Sequence, residues 1–204
     1  MPPSEALSTG LTQDQGQALV ALARQTLRSH FKRAIPSARK EALDTRLQDH
    51  ALQAQCGTFV TLKIRGRLRG CIGSLVGRGS LVEGVRSNAL NAAFNDPRFR
   101  ELRDAELDRI SIEVSVLTKP QPLAYSDAKD LVARLRPGLD GVIIRKGFAS
   151  ATFLPQVWDQ LSDAETFLSH LCTKAGLPAD EWRQGNLEVE TYQVQYFEES
   201  SLDR

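Results

Sequence analysis

The run TFVTLKIRGRLRGCIGS, residues 58–74, decides how the rest of the chain is read. From Thr58 the polarity alternates with period two, so Val60, Leu62 and Ile64 share one side of an extended segment while Phe59, Thr61 and Lys63 share the other. Arg65-Gly66-Arg67 interrupts the pattern and Leu68 to Gly73 resumes it, the mark of a hairpin. A two-residue loop at Arg65-Gly66 pairs Val60 with Cys71 and mixes charged and core side chains on one face. A three-residue loop, Arg65 to Arg67, pairs Ile64 with Leu68, Leu62 with Gly70 and Val60 with Ile72, and one face stays apolar throughout. The second register is the expectation, with Cys71 opposite Thr61 and Arg69 opposite Lys63 on the polar face.

Upstream, Thr12 and Gln15 have the spacing of a capping box, and Leu19, Leu22, Ala23, Thr26 and Leu27 form one mostly apolar helical stripe that leaves Arg24, Gln25 and Arg28 in water. A weaker helical pattern runs from about Arg39 to Gln53 with Leu43 and Leu47 as its seam. Downstream, Ser80 with Glu83 caps a helix reaching Asn95, and Asp96-Pro97 stops it. Residues 109–117 read as a strand with Ile110, Ile112, Val114 and Val116 on one side. A short helix over Ser126–Leu135 leads to a second hairpin, Gly141–Arg145 and Ala149–Phe153, around Lys146-Gly147. Ser162 with Glu165 caps a helix whose Phe167, Leu168, Leu171, Cys172 and Ala175 face a core. In residues 186–197 the apolar parity switches from odd to even, which a bulge near Glu190 explains. Helices and hairpins without regular strand-helix-strand alternation favour an α+β fold with a mainly antiparallel sheet flanked by helices.

With 204 residues the chain buries a core without disulfides, and 26 basic against 25 acidic side chains leave a net charge of +1 and no global field for polyanions. Three widely spaced cysteines, Cys56, Cys71 and Cys172, form neither a disulfide framework nor a metal knuckle, so the expected setting is a reducing, cytoplasmic one. No signal peptide or membrane span is expected. Walker, dinucleotide, HExxH, paired CxxC and ribonucleoprotein patterns do not occur, and no metal site or cofactor is named by the sequence.

Two readings of Cys71 stand side by side. Free cysteine is among the most buried residue types, and glycine in a strand often serves packing. Alternatively, a thiol sharing a face with Lys63 and Arg69 gains nucleophilicity, and Gly70 and Gly73 clear space for a ligand. Two cations across a ladder imply open solvent or an anionic partner between them. Asn95-Asp96-Pro97-Arg98-Phe99 is either a helix stop whose Asp96 or Asn95 bonds nearby amides, or the rim of a cleft beside Cys71 that Glu113 completes. The simpler alternative for Glu113 is a plain salt bridge with Arg69.

Phe59-Val60-Thr61-Leu62, LRGCIGSL over Leu68–Leu75, AAFNDPRF over Ala92–Phe99, IEVSVL over Ile112–Leu117, LPQV over Leu154–Val157 and FLSHLCTKAGLP over Phe167–Pro178, followed by Trp182, resemble the AMMECR domain family. The resemblance extends from about Leu19 to Phe197. Ser74 stands where a threonine is common in the family. The resemblance implies an α+β protein of two intimately joined lobes, here over residues 12–198; the Pro-, Ser- and Gly-rich residues 1–11 are expected to be disordered and 199–204 flexible. It also implies membership, as the A component, of an AmmeMemoRadiSam system, with a Memo-like protein and a radical SAM protein as partners. No activity is securely assigned to that family; an enzymatic role and an RNA-related one have both been suggested.

The leading expectation is therefore a cleft with Cys71 as nucleophile or substrate-contacting thiol and with Arg69 and Lys63 holding a small anionic group. Gly70, Gly73 and Ser74 line it, Gly73 and Ser74 offering amides to an oxyanion, and Asp96, Arg98 and Glu113 rim it. The alternatives are a non-catalytic docking subunit, which calls for a contiguous apolar patch, and RNA binding through Arg65, Arg67 and Arg69.

Overall fold

The computed structural model describes residues 10–199. The described residues divide into two compact units, residues 10–119 with 195–199, and residues 120–194. The expected disordered and flexible ends fall mostly outside the described residues. Their inner edges are anchored: Leu11 is buried and exchanges hydrogen bonds with the Gln195 side chain, and Glu199 is buried as well.

The first unit contains α1 (Gln13–His30), α2 (Ser37–Arg46), β1 (Thr58–Ile64), β2 (Arg67–Ser74), α3 (Leu81–Phe94) and β3 (Ile110–Leu117). Both predicted capping boxes form, Thr12 with Gln15 on α1 and Ser80 with Glu83 on α3. The pattern expected as one helix from Arg39 to Gln53 is α2 followed by a short 3₁₀ turn at His50–Gln53, and Leu43 and Leu47 are buried as its seam.

The second unit holds β4 (Gln121–Pro122), α4 (Ala128–Arg134), β5 (Gly141–Lys146), β6 (Ala149–Phe153), α5 (Ala164–Lys174) and β7 (Glu188–Tyr192). The chain then returns to the first unit as β8 (Val194–Glu198). Two antiparallel four-stranded sheets result, ordered β2-β1-β3-β8 and β4-β7-β5-β6, so the fold is α+β.

In the first unit Val60, Leu62, Ile110, Ile112 and Val114 turn to the helices and meet Leu19, Leu22, Ala23 and Leu27 of α1 and Leu81, Val85, Ala89 and Ala92 of α3. Each large side chain buried this way contributes about 1.5–3 kcal/mol. Gly70 lets α3 come close: a Cβ there would stand 2.0 Å from the Ala92 carbonyl oxygen. In the second unit Val142 and Ile144 pack on Phe167, Leu168, Leu171 and Cys172, and Trp158 stacks on Phe167 at 3.7 Å between ring centres.

Four expectations need correction. The α5 cap is Asp163, whose carboxylate takes the Thr166 N–H at 2.8 Å, one residue after the expected Ser162. There is no bulge at Glu190, since pairing of β7 with β5 runs unbroken from Glu188 to Tyr192. The parity switch arises because β7 and β8 belong to different sheets: Val189 serves one core and Phe197 the other.

The hairpin turn is the third. Val60↔Ile72, Thr61↔Cys71 and Leu62↔Gly70 pair as expected, but Arg65-Gly66 form a two-residue loop with both residues at positive φ, and Lys63 faces Leu68. Arg69 is the extra residue of a bulge, which reconciles a tight twisted turn with an apolar inner face. Finally, Arg24 is buried, 5 % exposed, rather than in water: it pairs with Glu199 and donates to the carbonyls of Leu107 and Ile110.

Candidate functional site

Cys71 lies on β2, an edge strand, on the sheet face opposite the helical core. It is a free thiol of intermediate exposure, whereas Cys56 and Cys172 are buried. A row of polar side chains crosses the sheet at its level, Cys71 beside Thr61 and Thr61 beside Glu113. The Thr61 hydroxyl donates to the Cys71 sulfur at 3.3 Å.

The open edge of β2 is occupied at this residue. Asp96 Oδ2 accepts the Cys71 N–H at 2.8 Å, and Arg98 donates to the Cys71 carbonyl at 3.2 Å. Asp96 and Arg98 are also bound to each other, Nη2 to Oδ2 at 2.8 Å and Nε to Oδ1 at 3.0 Å. The turn that stops α3 thus satisfies both outward-facing main-chain groups of Cys71 and blocks the edge against further strands. Arg98, with the Cys71 and Arg98 amides, holds the buried Asp96 carboxyl far below the usual carboxylate range, and Asp96 in turn raises Arg98. The helix-stop reading of this segment holds: Asp96 bonds amides, one of them that of Cys71.

The bulge turns Arg69 away from Lys63. Arg69 forms a two-pronged pair with Glu106 at 3.0 and 3.1 Å and donates to the carbonyls of Arg100 and Glu101. Arg69 brings the Glu106 carboxyl down to about 2, with help from the Arg103 amide. Lys63 binds Glu113 at 2.7 Å and Glu198 at 3.4 Å, and Glu113 raises its ammonium. The simple Arg69–Glu113 bridge is thus replaced by two separate pairs. No cation of the expected anion site is left without a carboxylate, and of Arg65, Arg67 and Arg69 the last is tied down.

The remaining expected residues are spread out. Gly70 is buried under α3 and offers its space to the Ala92 carbonyl rather than to a ligand. Gly73 lies under the Phe59 ring, and Ser74, exposed, donates to the Val76 carbonyl. Because Cys71 points its N–H outward, ladder alternation turns the Gly73 N–H outward too and the Ser74 N–H toward β1. Only Gly73 of the two offers an amide at the edge. Thr61, Glu106 and Glu198 were missed by the sequence reading; Thr61 alone was signalled, by its register with Cys71.

Among the described residues no group of three or more His, Cys, Asp or Glu side chains is placed to hold a metal, and no helix is long and apolar enough to cross a membrane. The exposed large apolar side chains, Leu68, Val76, Leu139, Phe148 and Tyr196, belong to separate segments.

Comparison with known proteins places these features. A protein of Methanothermobacter thermautotrophicus is 39% identical over 190 residues, covering 93% of this chain and 96% of its own. Protein MK0488 of Methanopyrus kandleri is 40% identical over 197 residues, covering 93% and 90%. The crystal structure of the uncharacterized protein PH0010 from Pyrococcus horikoshii matches with a TM-score of 0.75 at 33% identity, over 93% of this chain and 94% of that one. The AMMECR1 family pattern spans residues 20–197, from the start of the α1 core stripe to Phe197 on β8, and the chain belongs to the AMMECR1 family.

Proposed function

We propose that this protein is the A component of an AmmeMemoRadiSam system and that Cys71 is its substrate-contacting thiol. The observation that supports the reading is the contrast among the three cysteines. Two are sealed in cores; the third is partly exposed, receives a hydroxyl on its sulfur and has its main chain clamped from outside the strand. A reacting atom held in one geometry by packed supports is prepared for chemistry in a way that a mobile surface thiol is not.

In this reading Thr61 directs the sulfur, while Asp96 and Arg98 position the strand. Arg98, with 56% of its side chain exposed and its charge offset by Asp96, offers the outer N–H groups of its guanidinium to a small bound oxyanion. The Gly73 amide stands as a donor to a bound oxygen. Lys63, Arg69, Glu113 and Glu106 hold the frame through their mutual pairs.

The test is site-resolved alkylation of the native chain by iodoacetamide, joined to untargeted metabolite profiles of a deletion strain and a Cys71→Ser strain. Cys71 should react faster than free cysteine, Cys56 and Cys172 should stay protected, and the two strains should share their changes. A Cys71 rate no higher than that of free cysteine, together with a silent Cys71→Ser strain, overturns the thiol role. Co-purification from the native host should recover a Memo-like or radical SAM protein; recovery of neither overturns the system assignment.

A further inference from the structure

A group of arginines in the first unit lies between α1 and α2. Ala21, Arg24, Gln25 and Arg28 succeed one another at i, i+3, i+4 and i+7 on α1, and Arg39, Ala42, Leu43 and Arg46 do the same on α2. The two stripes, with Ile35 and Pro36, line a cavity of about 180 Å³. Four arginines and a glutamine line it with five apolar residues, and no Asp or Glu is among the lining.

The arginines are not equivalent. Arg24 is neutralised by Glu199 at 2.5 Å. Arg28 donates to the Ala34 carbonyl at 3.4 Å and Arg46 to the Asp14 carbonyl at 2.7 Å, neutral acceptors that orient a guanidinium without cancelling its charge. Of the two acids on α2, Glu41 is outside the lining and Asp44 faces a neighbouring groove with Lys40, His30 and Arg86. Planar guanidinium forks converging on a recess with apolar walls match a tetrahedral or planar oxyanion on a short organic body.

The geometry points to a second ligand site here, a pocket for a small organic phosphate monoester whose head meets Arg28 and Arg46 and whose carbon body lies on Ile35, Pro36 and Leu43. The site is independent of Cys71, which is on the opposite face of the sheet, so loss of the thiol reading leaves it standing. A recess of this volume admits a free monoester.

The test uses the full chain at constant ionic strength. Inorganic phosphate and glycerol 3-phosphate should raise the melting temperature, and sodium chloride should not. Amide shifts in NMR spectra should gather on residues 21–46. Arg28→Gln and Arg46→Gln should each weaken binding about tenfold, the loss of a charged hydrogen bond, Arg46→Lys should keep most of it, and Cys71→Ser should leave it unchanged. No stabilisation by either probe overturns the proposal, as does stabilisation that persists in the Arg28→Gln, Arg46→Gln double variant when that variant has a native spectrum. Binding confined to vesicles containing phosphatidic acid, or to RNA, overturns it in favour of a macromolecular anion.

Discussion

The Cys71 face and the α1–α2 cleft both hold several cations, and they treat them in opposite ways. On the sheet face Lys63, Arg69 and Arg98 each meet a carboxylate, so the site is rigid and close to neutral. In the cleft Arg24 is paired with the Glu199 carboxylate, whereas Arg28 and Arg46 are steered by carbonyls. A count of basic residues thus says little about where an anion binds. What matters is whether each guanidinium's partner is an ion or a dipole, because only the former removes its field.

The largest expected effect concerns Arg24, the cleft arginine held by a buried carboxylate. Arg24→Met leaves Glu199, whose side chain is 1% exposed, charged and alone, and should cost about 3–5 kcal/mol. Adding Glu199→Leu should restore much of that loss; urea titration of both variants measures it. If the double variant is no better than the single, the pair acts through its carbonyl contacts rather than its charge.

Next in size, Asp96→Ala strips the Cys71 N–H and Arg98 of their acceptor and should cost about 1–3 kcal/mol, the penalty for unmade hydrogen bonds. It should also loosen Cys71, seen as faster hydrogen exchange at its amide. Arg46→Gln, removing a guanidinium held only by a carbonyl, should shift stability by less than about 1 kcal/mol. A large loss there would erase the contrast between the two regions.

The smallest effect is one of pH. Glu106 is held at about 2, below its ordinary 4.5, so its protonation is resisted in the folded state. Its contribution is complete above pH 4.5 and fades as pH falls toward 2. The melting temperature of the native chain should drop more steeply across that interval than that of Glu106→Gln.

Several local signals were legible because the deciding partner was near in sequence, although the α5 cap fell one residue later than Ser162. Thr12 with Gln15 and Ser80 with Glu83 cap their helices as the spacing says, and the hairpin register from Val60 to Leu62 follows from keeping one face apolar. Near the turn the same rule failed. Backbone twist favoured the two-residue loop at Arg65-Gly66, and the surplus residue became the bulge at Arg69. That shift carried Arg69 from Lys63 to Glu106, so the site's ion pairs were mispredicted together.

Arg24 looked solvated because its partner, Glu199, is 175 residues away. The switch of parity around Glu190 looked like a bulge because a change of sheet and a local irregularity leave the same mark on one strand. Of the expected site, the approach of Asp96 and Arg98 to Cys71 was readable, and the neutralisation of its cations was not.

The insertion of residues 120–194 between β3 and β8 has a kinetic consequence. The first sheet acquires its fourth strand only after the whole inserted unit has been synthesised, so closing it is a long-range event with a high contact order. Until then β3 is an edge strand with unpaired N–H and C=O groups, and α1 waits for Phe197 to fill the space against Gly16. A nascent or truncated chain without residues 194–199 therefore exposes the long apolar strand β3 as an edge, which the short strand β8 covers in the finished chain.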